Sequence, residues 1–330
     1  MNPRSSLPPA TRVAFAVLAL VGLLGLLAGC GDGERARAPR DVTLALDFAP
    51  NAVQAPVFTA AREGLDRRRG IRLRIRQPGQ GPDGVKLVAA GRAQLALLDI
   101  HDLPLARAKG ADIVAVAALV GSPLAALVAQ PGIVRPRSLE HRTVGVSGLP
   151  SDPAFLKAVM QADGGDVRTV RQVTIGFSAV QRLLTRRVSA VPAFWNVEGV
   201  ALREHGLPVR IFKVEDFGAP PYPEVVVVTS RATLAARRAD VRAALRAIAD
   251  GVEQTIMHPE SAVKEIAAES GSADPALVRA QLRAVAPTWA RGLRLNRAVL
   301  ERWATWDARV GIVARRPDVG EAFVFGLAGS

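Results

Sequence analysis

From residue 41 onward, short runs with a two-residue apolar period alternate with longer runs of helical period. That alternation restricts the chain to an α/β architecture built on parallel sheets. The pattern predicts strands over 42–48, 71–76, 94–98, 112–119 and 125–129, with helices over 55–65 and 84–90 between them. A Pro/Gly/Arg stretch at 131–136 reads as a linker. A second set follows, with strands over 143–146, 167–173, 187–194 and 209–214. Its helix opens at Ser151 or Asp152, carries Pro153 in the first turn and stops at Gly164-Gly165. Pro192 counts against a central place for the third of these strands. The punctuated run 218–223 leads into a strand over 224–229, and the remainder is helical. There Val241, Leu245, Ile248, Val252 and Ile256 fall at helical spacing behind Asp240 as cap, Pro259 opens the next helix, and Trp289, Trp303 and Trp306 belong to the tail.

The two sets echo one another. Residues 85–99 and 180–194 share one plan of helix, turn and mostly apolar strand, at a constant offset of 95 residues. Like units in both halves imply two lobes of similar topology. The loops that follow, Ile100-His101-Asp102 and Trp195-Asn196-Val197-Glu198, then face each other across a cleft with polar groups on both walls. The first strand also runs into an acid and an aromatic, Asp47 and Phe48, before breaking at Ala49-Pro50-Asn51. Loops at the carboxyl ends of strands are where open α/β sheets hold ligands.

The first 40 residues stand apart. Arg4 and Arg12 precede an apolar run over 13–29, which reads as an export signal. A membrane span is the alternative, but the run lies at the short end of the ~17–25 residues that spanning needs. Leu27-Ala28-Gly29-Cys30 resembles the lipobox of bacterial lipoproteins and holds the single cysteine of the chain. Residues 1–29 are therefore expected to be removed, Cys30 to be lipidated, and 30–40 to form a tether to the outer face of a membrane. Two acyl chains anchor stably where one does not. With no second cysteine, packing rather than disulfides holds the fold.

The net charge is +13, and removing Arg4 and Arg12 with the signal leaves +11. Arginine supplies nearly all of it, scattered along helix faces and alternating strands such as Ile71-Arg72-Leu73-Arg74-Ile75-Arg76. Aromatics are 5% of the chain and do not interleave with a basic patch, which argues against nucleic acid and for attraction to anionic headgroups. The four histidines, His101, His141, His205 and His258, show no ligand spacing with one another, so no metal is expected. No phosphate loop, Ser-His-Asp pattern or paired catalytic carboxylates stand out, and no cofactor is expected.

At "LDFAPNAVQAP", "FWNVEGVALREHGLP" and "APPYPEVVVVTSRATL" the chain resembles the substrate-binding proteins of ABC importers, in the branch that binds thiamine-pyrimidine precursors and is similar to the fungal thiamine-pyrimidine synthases. The resemblance covers roughly residues 41–325. It implies a type 2 periplasmic-binding-protein fold, with two α/β lobes and a hinge of two crossings near 130–140 and 217–228. Lobe one would comprise 41–135 and 225–330, and lobe two 136–224. A permease and its ATPase would be the partners, and a small heteroaromatic solute the ligand. Riboflavin and aliphatic sulfonates or nitrate are carried by relatives of the same fold.

On this resemblance Asp47 accepts hydrogen bonds, Phe48 stacks on a flat ring, and Asn51 and Gln54 complete the lip. The family usually has Trp at the position of Phe48 and His at that of Gln54. Glu198 pairs with an aminopyrimidine edge, or else is a first-turn acid complementing its helix dipole. Trp195 stacks on the ligand or fills the lobe interface, with Asn196 beside it. Asp99 and His101 hydrogen-bond from the cleft wall or cap a loop. Gly148 and Ser151 lie in a strand-end turn whose N–H groups would bind an anionic head in sulfonate and nitrate relatives, but Asp152 beside them opposes an anion. Tyr222 lids the cleft or stiffens the hinge. The synthases place a cofactor-binding lysine where Leu98 stands, and a cysteine cluster where this chain reads Ala219-Pro220-Pro221-Tyr222, so a carrier is expected rather than an enzyme.

Overall fold

The computed structural model describes residues 38–79, 83–271 and 274–328. The expected signal segment 1–29, Cys30 and the tether up to residue 37 lie outside the described residues. Among the described residues, no helix is long and apolar enough to cross a membrane.

Ten strands form two five-stranded sheets among these residues. The first sheet has the order β2-β1-β3-β10-β4, from Ile71–Arg76, Arg40–Ala45, Leu95–Asp99, Val225–Ser230 and Ile113–Val120. The second has the order β7-β6-β8-β5-β9, from Arg171–Thr174, Thr143–Val146, Ala190–Phe194, Ala125–Ala129 and Arg210–Lys213. In each, a strand arriving from the other lobe inserts antiparallel beside the third: β10 pairs with β3 and β4, and β5 with β8 and β9. The two sheets therefore share one topology. The echo in the sequence has its cause here, because β3 and β8 start and stop 95 residues apart and hold the same place in their sheets.

Strand β5 corrects the expected division of the chain. Ala125–Ala129 was assigned to the first lobe with a crossing near 130–140, but it pairs with β8 and β9 in the second sheet. The chain crosses at 121–124 instead, and returns between β9 and β10 at 214–224. The Pro/Gly-rich run 131–136 is a surface turn after β5, and its composition signalled a boundary that the pairing does not respect. Pro192 does sit within β8, but pairing to β6 is confined to Val144↔Ala190, and the proline lies beyond it.

The expected strand 167–173 splits into a 3-10 turn, Val167–Thr169, and the strand β7. The long helix is Arg231–Met257, capped by Ser230, whose side chain accepts from Thr233 N–H at 3.0 Å. Asp240 is therefore not its cap. It lies just past a break at Arg237 (φ −133°, ψ 32°), where Arg40 and Arg237 pair with its buried carboxylate.

Apolar packing follows the predicted faces. Val241, Leu245, Ile248 and Val252 are fully buried in the core that the long helix shares with β1 and the helix Ala55–Arg62. A second core runs through both lobes, joining Leu127, Leu139 and Phe155 to Leu98, Leu103, Trp303 and Trp306. The tail helix Arg297–Arg309 thus packs against both lobes rather than one. A third, smaller core backs the second sheet.

At Gly251 the long helix comes so near the helix Ala55–Arg62 that an added Cβ would run into the Pro56 carbonyl oxygen. Gly251→Ala is expected to cost about 1–3 kcal/mol through overpacking, read as a fall of several degrees in the thermal unfolding midpoint.

Candidate functional site

Between the lobes lies a cavity of about 370 Å³, walled chiefly by strand ends and by the loops and helices that follow them. This is within the range of ~300–1,000 Å³ typical of small-molecule sites. From the first lobe, β1 delivers Asp47 and Phe48, and β3 delivers Asp99, His101 and Asp102. From the second, β6 delivers the turn that ends in Ser151 and Asp152, and β8 delivers Phe194, Val197 and Glu198.

Local hydrogen bonding orients these groups. Asn51 opens a reciprocal cap, with its Oδ1 accepting from Val53 N–H at 2.9 Å and its own N–H donating to Gln54 Oε1 at 3.0 Å. The amide nitrogen of Gln54 then donates to Asp47 Oδ1 at 2.9 Å, which fixes that carboxyl at the cavity wall. Asp99 Oδ1 accepts from His101 N–H at 2.8 Å. Glu198, at the start of the helix Glu198–Glu204, accepts from Phe194 N–H at 3.2 Å.

Asp152 closes its own turn, because its Oδ2 accepts from Ser147 N–H at 2.7 Å, Ser147 Oγ at 2.7 Å and Gly148 N–H at 3.2 Å. Gly148 has φ of +99°, a value glycine adopts without strain, and the chain turns there on its way to Asp152. Two contacts cross the cleft here. Ser151 N–H donates to Asp102 Oδ1 at 3.1 Å, and the Phe48 ring meets Phe177 with centroids 4.2 Å apart.

Five carboxyl groups line the cavity, and burial acts on each. Burial pushes Glu198 up to about 7. It raises Asp102 to about 7 as well, with the neighbouring Asp152 adding to the effect. Asp47 and Asp152 are raised for the same reason, and Asp99 further, since Glu224 adds its charge to the loss of water.

His101 behaves differently. Burial disfavours its charge, yet Asp307, Asp99 and Glu224 outweigh that loss and hold it protonated to about 10. Its Nδ1 lies 2.6 Å from Asp307 Oδ1 and 3.2 Å from Trp303 Nε1. Asp99, His101 and Glu224 bring three donor atoms of metal-binding type within 4.8 Å of one another. The carboxyls around His101 favour its protonated form, and with it an ion cluster. Glu224 also accepts from Leu124 and Ala125 N–H at 2.5 and 2.8 Å, and so ties the two crossings to each other.

The family model described as NMT1/THI5 like matches residues 51–262. The chain belongs to the NMT1/THI5-like family. It is 29% identical over 271 residues to the formylaminopyrimidine-binding protein of Halalkalibacterium halodurans, covering 81% of this chain and 82% of that one. It is 22% identical over 237 residues to a 4-amino-5-hydroxymethyl-2-methylpyrimidine phosphate synthase of Saccharomyces cerevisiae, covering 68% and 69%. Among solved structures, the alkanesulfonate-binding protein SsuA from Xanthomonas axonopodis pv. citri, bound to MOPS, matches with a TM-score of 0.70 at 17% identity, covering 87% of this chain and 98% of that one. The fold of this NMT1/THI5-like chain is the two-lobed periplasmic-binding-protein fold.

Of the residues singled out by sequence, Asp47, Phe48, Asn51, Gln54, Asp99, His101, Ser151 and Glu198 line the cavity. Four others do not. Trp195 turns its ring under Lys213, with Nζ 4.2 Å from the ring centroid, and donates from Nε1 to Pro123 O at 3.3 Å, so it fills the lobe interface. Asn196 is fully buried behind the wall. Tyr222 is fully buried against His101 and Trp306 and neither lids nor touches the cavity. Gly148 contributes only the backbone turn that Asp152 caps. Sequence reasoning passed over Phe155 and Phe177. Phe177 follows β7 as Phe48 follows β1, so the same strand-end rule would have found it.

The raised carboxyls carry a sign. Glu198 and Asp102 bind protons more tightly folded than unfolded, so their stabilising contribution is complete below about 4 and is lost as pH rises through about 7. Glu198→Gln is expected to flatten the fall in unfolding midpoint across that window, measured by pH-resolved thermal melts of the empty protein.

Proposed function

We propose that this chain is a lipid-anchored, extracytoplasmic solute receptor of an ABC importer that encloses an aminopyrimidine of the thiamine-precursor type. The observation that carries the reading is Glu198, a buried carboxyl raised by burial to about 7 and set on the wall of the interlobe cavity. An aminopyrimidine presents an exocyclic N–H donor beside a basic ring nitrogen. A carboxyl that gains or loses its proton near neutrality can accept from the first and share a proton with the second, a two-point charge-assisted pairing. Asp47 and Asp102 offer further acceptors, and Phe48, Phe155 and Phe194 supply flat apolar walls. The likeness to the formylaminopyrimidine-binding protein over most of both chains supports the same solute class.

Two alternatives fit less well. A sulfonate would need the N–H groups of the 147–151 turn, but Asp152 takes those of Ser147 and Gly148, Ser147 Oγ takes that of Leu149, and Asp102 takes that of Ser151. A synthase would need an amine at the end of β3, where Leu98 lines the cavity instead. Lys86 and Lys109 also line the cavity, but neither stands at that strand end. Anchoring through Cys30 follows from the lipobox-like sequence, and delivery to a permease follows from the receptor role.

A thermal-shift and calorimetry panel of formylaminopyrimidine, riboflavin and an aliphatic sulfonate tests the solute class. Formylaminopyrimidine should bind most tightly, and preferential binding of the sulfonate would overturn the reading. Glu198→Ala should weaken the pyrimidine by about 10–100-fold, as loss of a charged hydrogen bond does, with the unfolding midpoint held near that of the parent. For the anchor, metabolic labelling with a fatty acid should mark the parent chain and miss Cys30→Ala.

A further inference from the structure

Asp102 and Ser151 stand on opposite lobes. Asp102 follows β3 and opens the helix Asp102–Ala108, while Ser151 follows β6 and precedes the helix Asp152–Ala162. Both residues are buried, at 3% and 4% exposure, and both line the cavity. Asp102 Oδ1 accepts the Ser151 N–H at 3.1 Å across the cleft. The second oxygen of the same carboxyl, Oδ2, is also buried and has no hydrogen-bond partner among the described residues. Leaving a buried acceptor unpaired is costly, and more so on a group that can carry charge.

The surroundings of this carboxyl leave the joined lobes finely balanced. Phe48 on Phe177, the other contact across the cleft, joins two rings and supplies no directional bond. Asp152 stands close enough to Asp102 to raise its carboxyl, so joining the lobes brings two acids together, while His101 favours the ionised form. The Asp102–Ser151 bond therefore favours joining, and the unpaired Oδ2 and the Asp152 charge oppose it. A solute N–H placed on Oδ2 removes the first of these penalties. In parted lobes water would solvate that oxygen, so the same donor gains far less there. A ligand shifts two states only by its different affinity for them, and this oxygen supplies such a difference.

We propose that Asp102 couples occupancy of the cavity to joining of the lobes, with Oδ1 holding the second lobe through the Ser151 N–H and Oδ2 accepting an N–H of the bound solute. The contact at Oδ2 rests on the receptor reading above; the latch at Oδ1 does not. The proposed solute class supplies the donors. An aminopyrimidine carries two hydrogens on its exocyclic amine, and a formylamino substituent brings a further N–H. Glu198 takes one edge of such a guest from the second lobe and Asp102 another from the first, so neither lobe alone completes the shell.

The test uses residues 31–330, without acyl chains. All three apolar cores of the folded unit lie at residue 42 or beyond, so this chain retains them whole. Small-angle X-ray scattering gives the radius of gyration of the empty and the formylaminopyrimidine-saturated protein, and calorimetry gives the dissociation constant. Asp102→Asn keeps one carbonyl oxygen for the Ser151 N–H and puts a donor in place of the second oxygen. The expected result is an empty protein as compact as the parent that binds formylaminopyrimidine about 10–100-fold more weakly. Asp102→Ala removes both contacts and is expected to give a more open empty protein, with a loss of affinity at least as large. A merely structural role would not separate the two variants in this way.

Parent-like affinity in Asp102→Asn would remove the solute from Oδ2 and overturn the coupling. An empty Asp102→Ala protein as compact as the parent would overturn it too, because the Ser151 bond would then hold nothing. A parent that binds no formylaminopyrimidine takes down the receptor reading and the Oδ2 contact with it. The scattering of the empty proteins needs no ligand and judges the latch in either case.

Discussion

The Glu224 carboxylate joins the two segments by which the chain passes between its lobes. It stands at the end of the returning segment and accepts both N–H groups of Leu124 and Ala125, where the outgoing segment ends. Burying a carboxylate is costly unless hydrogen bonds and opposite charge compensate it. Here His101 supplies the charge, held protonated by Asp307 of the tail helix and by Asp99 at the end of β3. The end of β3, both crossings and the tail helix thus meet in one electrostatic knot, sealed by Tyr222, Trp303 and Trp306. The junction about which two-lobed folds of this kind close is accordingly a hydrogen-bonded ion cluster.

The cleft follows from that junction. Because both sheets have the same strand order, each lobe turns the same kind of strand end towards the other, and acids on both sides arrive in one cavity. The walls that exclude water are also what lifts the carboxyls towards neutrality, so shape and protonation state are one property of the site. Asp152 spends its charge on the turn beside it. Glu198 accepts from backbone N–H groups, that of Phe194 at 3.2 Å, and faces the cavity.

Much of this was legible in the residues. Periodicity located the strands because side chains alternate across a sheet whatever their neighbours do. The 95-residue echo implied two like lobes, since a repeated local pattern folds to a repeated local unit. Strand-end residues such as Asp47, Asp99 and Glu198 could be picked out because sheet topology, not fine packing, puts such positions at a cleft. Illegible were the direction of individual loop side chains and the partner of each strand. Trp195, Asn196 and Glu198 are near neighbours in one loop, yet only Glu198 reaches the cavity, because loops have no period from which a facing can be computed.

The sequence by itself determined the alternating α/β elements, the two-fold repetition, the acidic character of the strand ends and the wealth of arginine. The tertiary structure alone decided that Ala125–Ala129 belongs to the second sheet, since pairing with β8 and β9 is a long-range choice that local composition does not encode. It alone decided that Phe48 meets Phe177 and that Asp102 reaches Ser151 across the cleft. Each of these is a contact between distant segments, and distance along a chain places almost no limit on distance in space once the chain has folded.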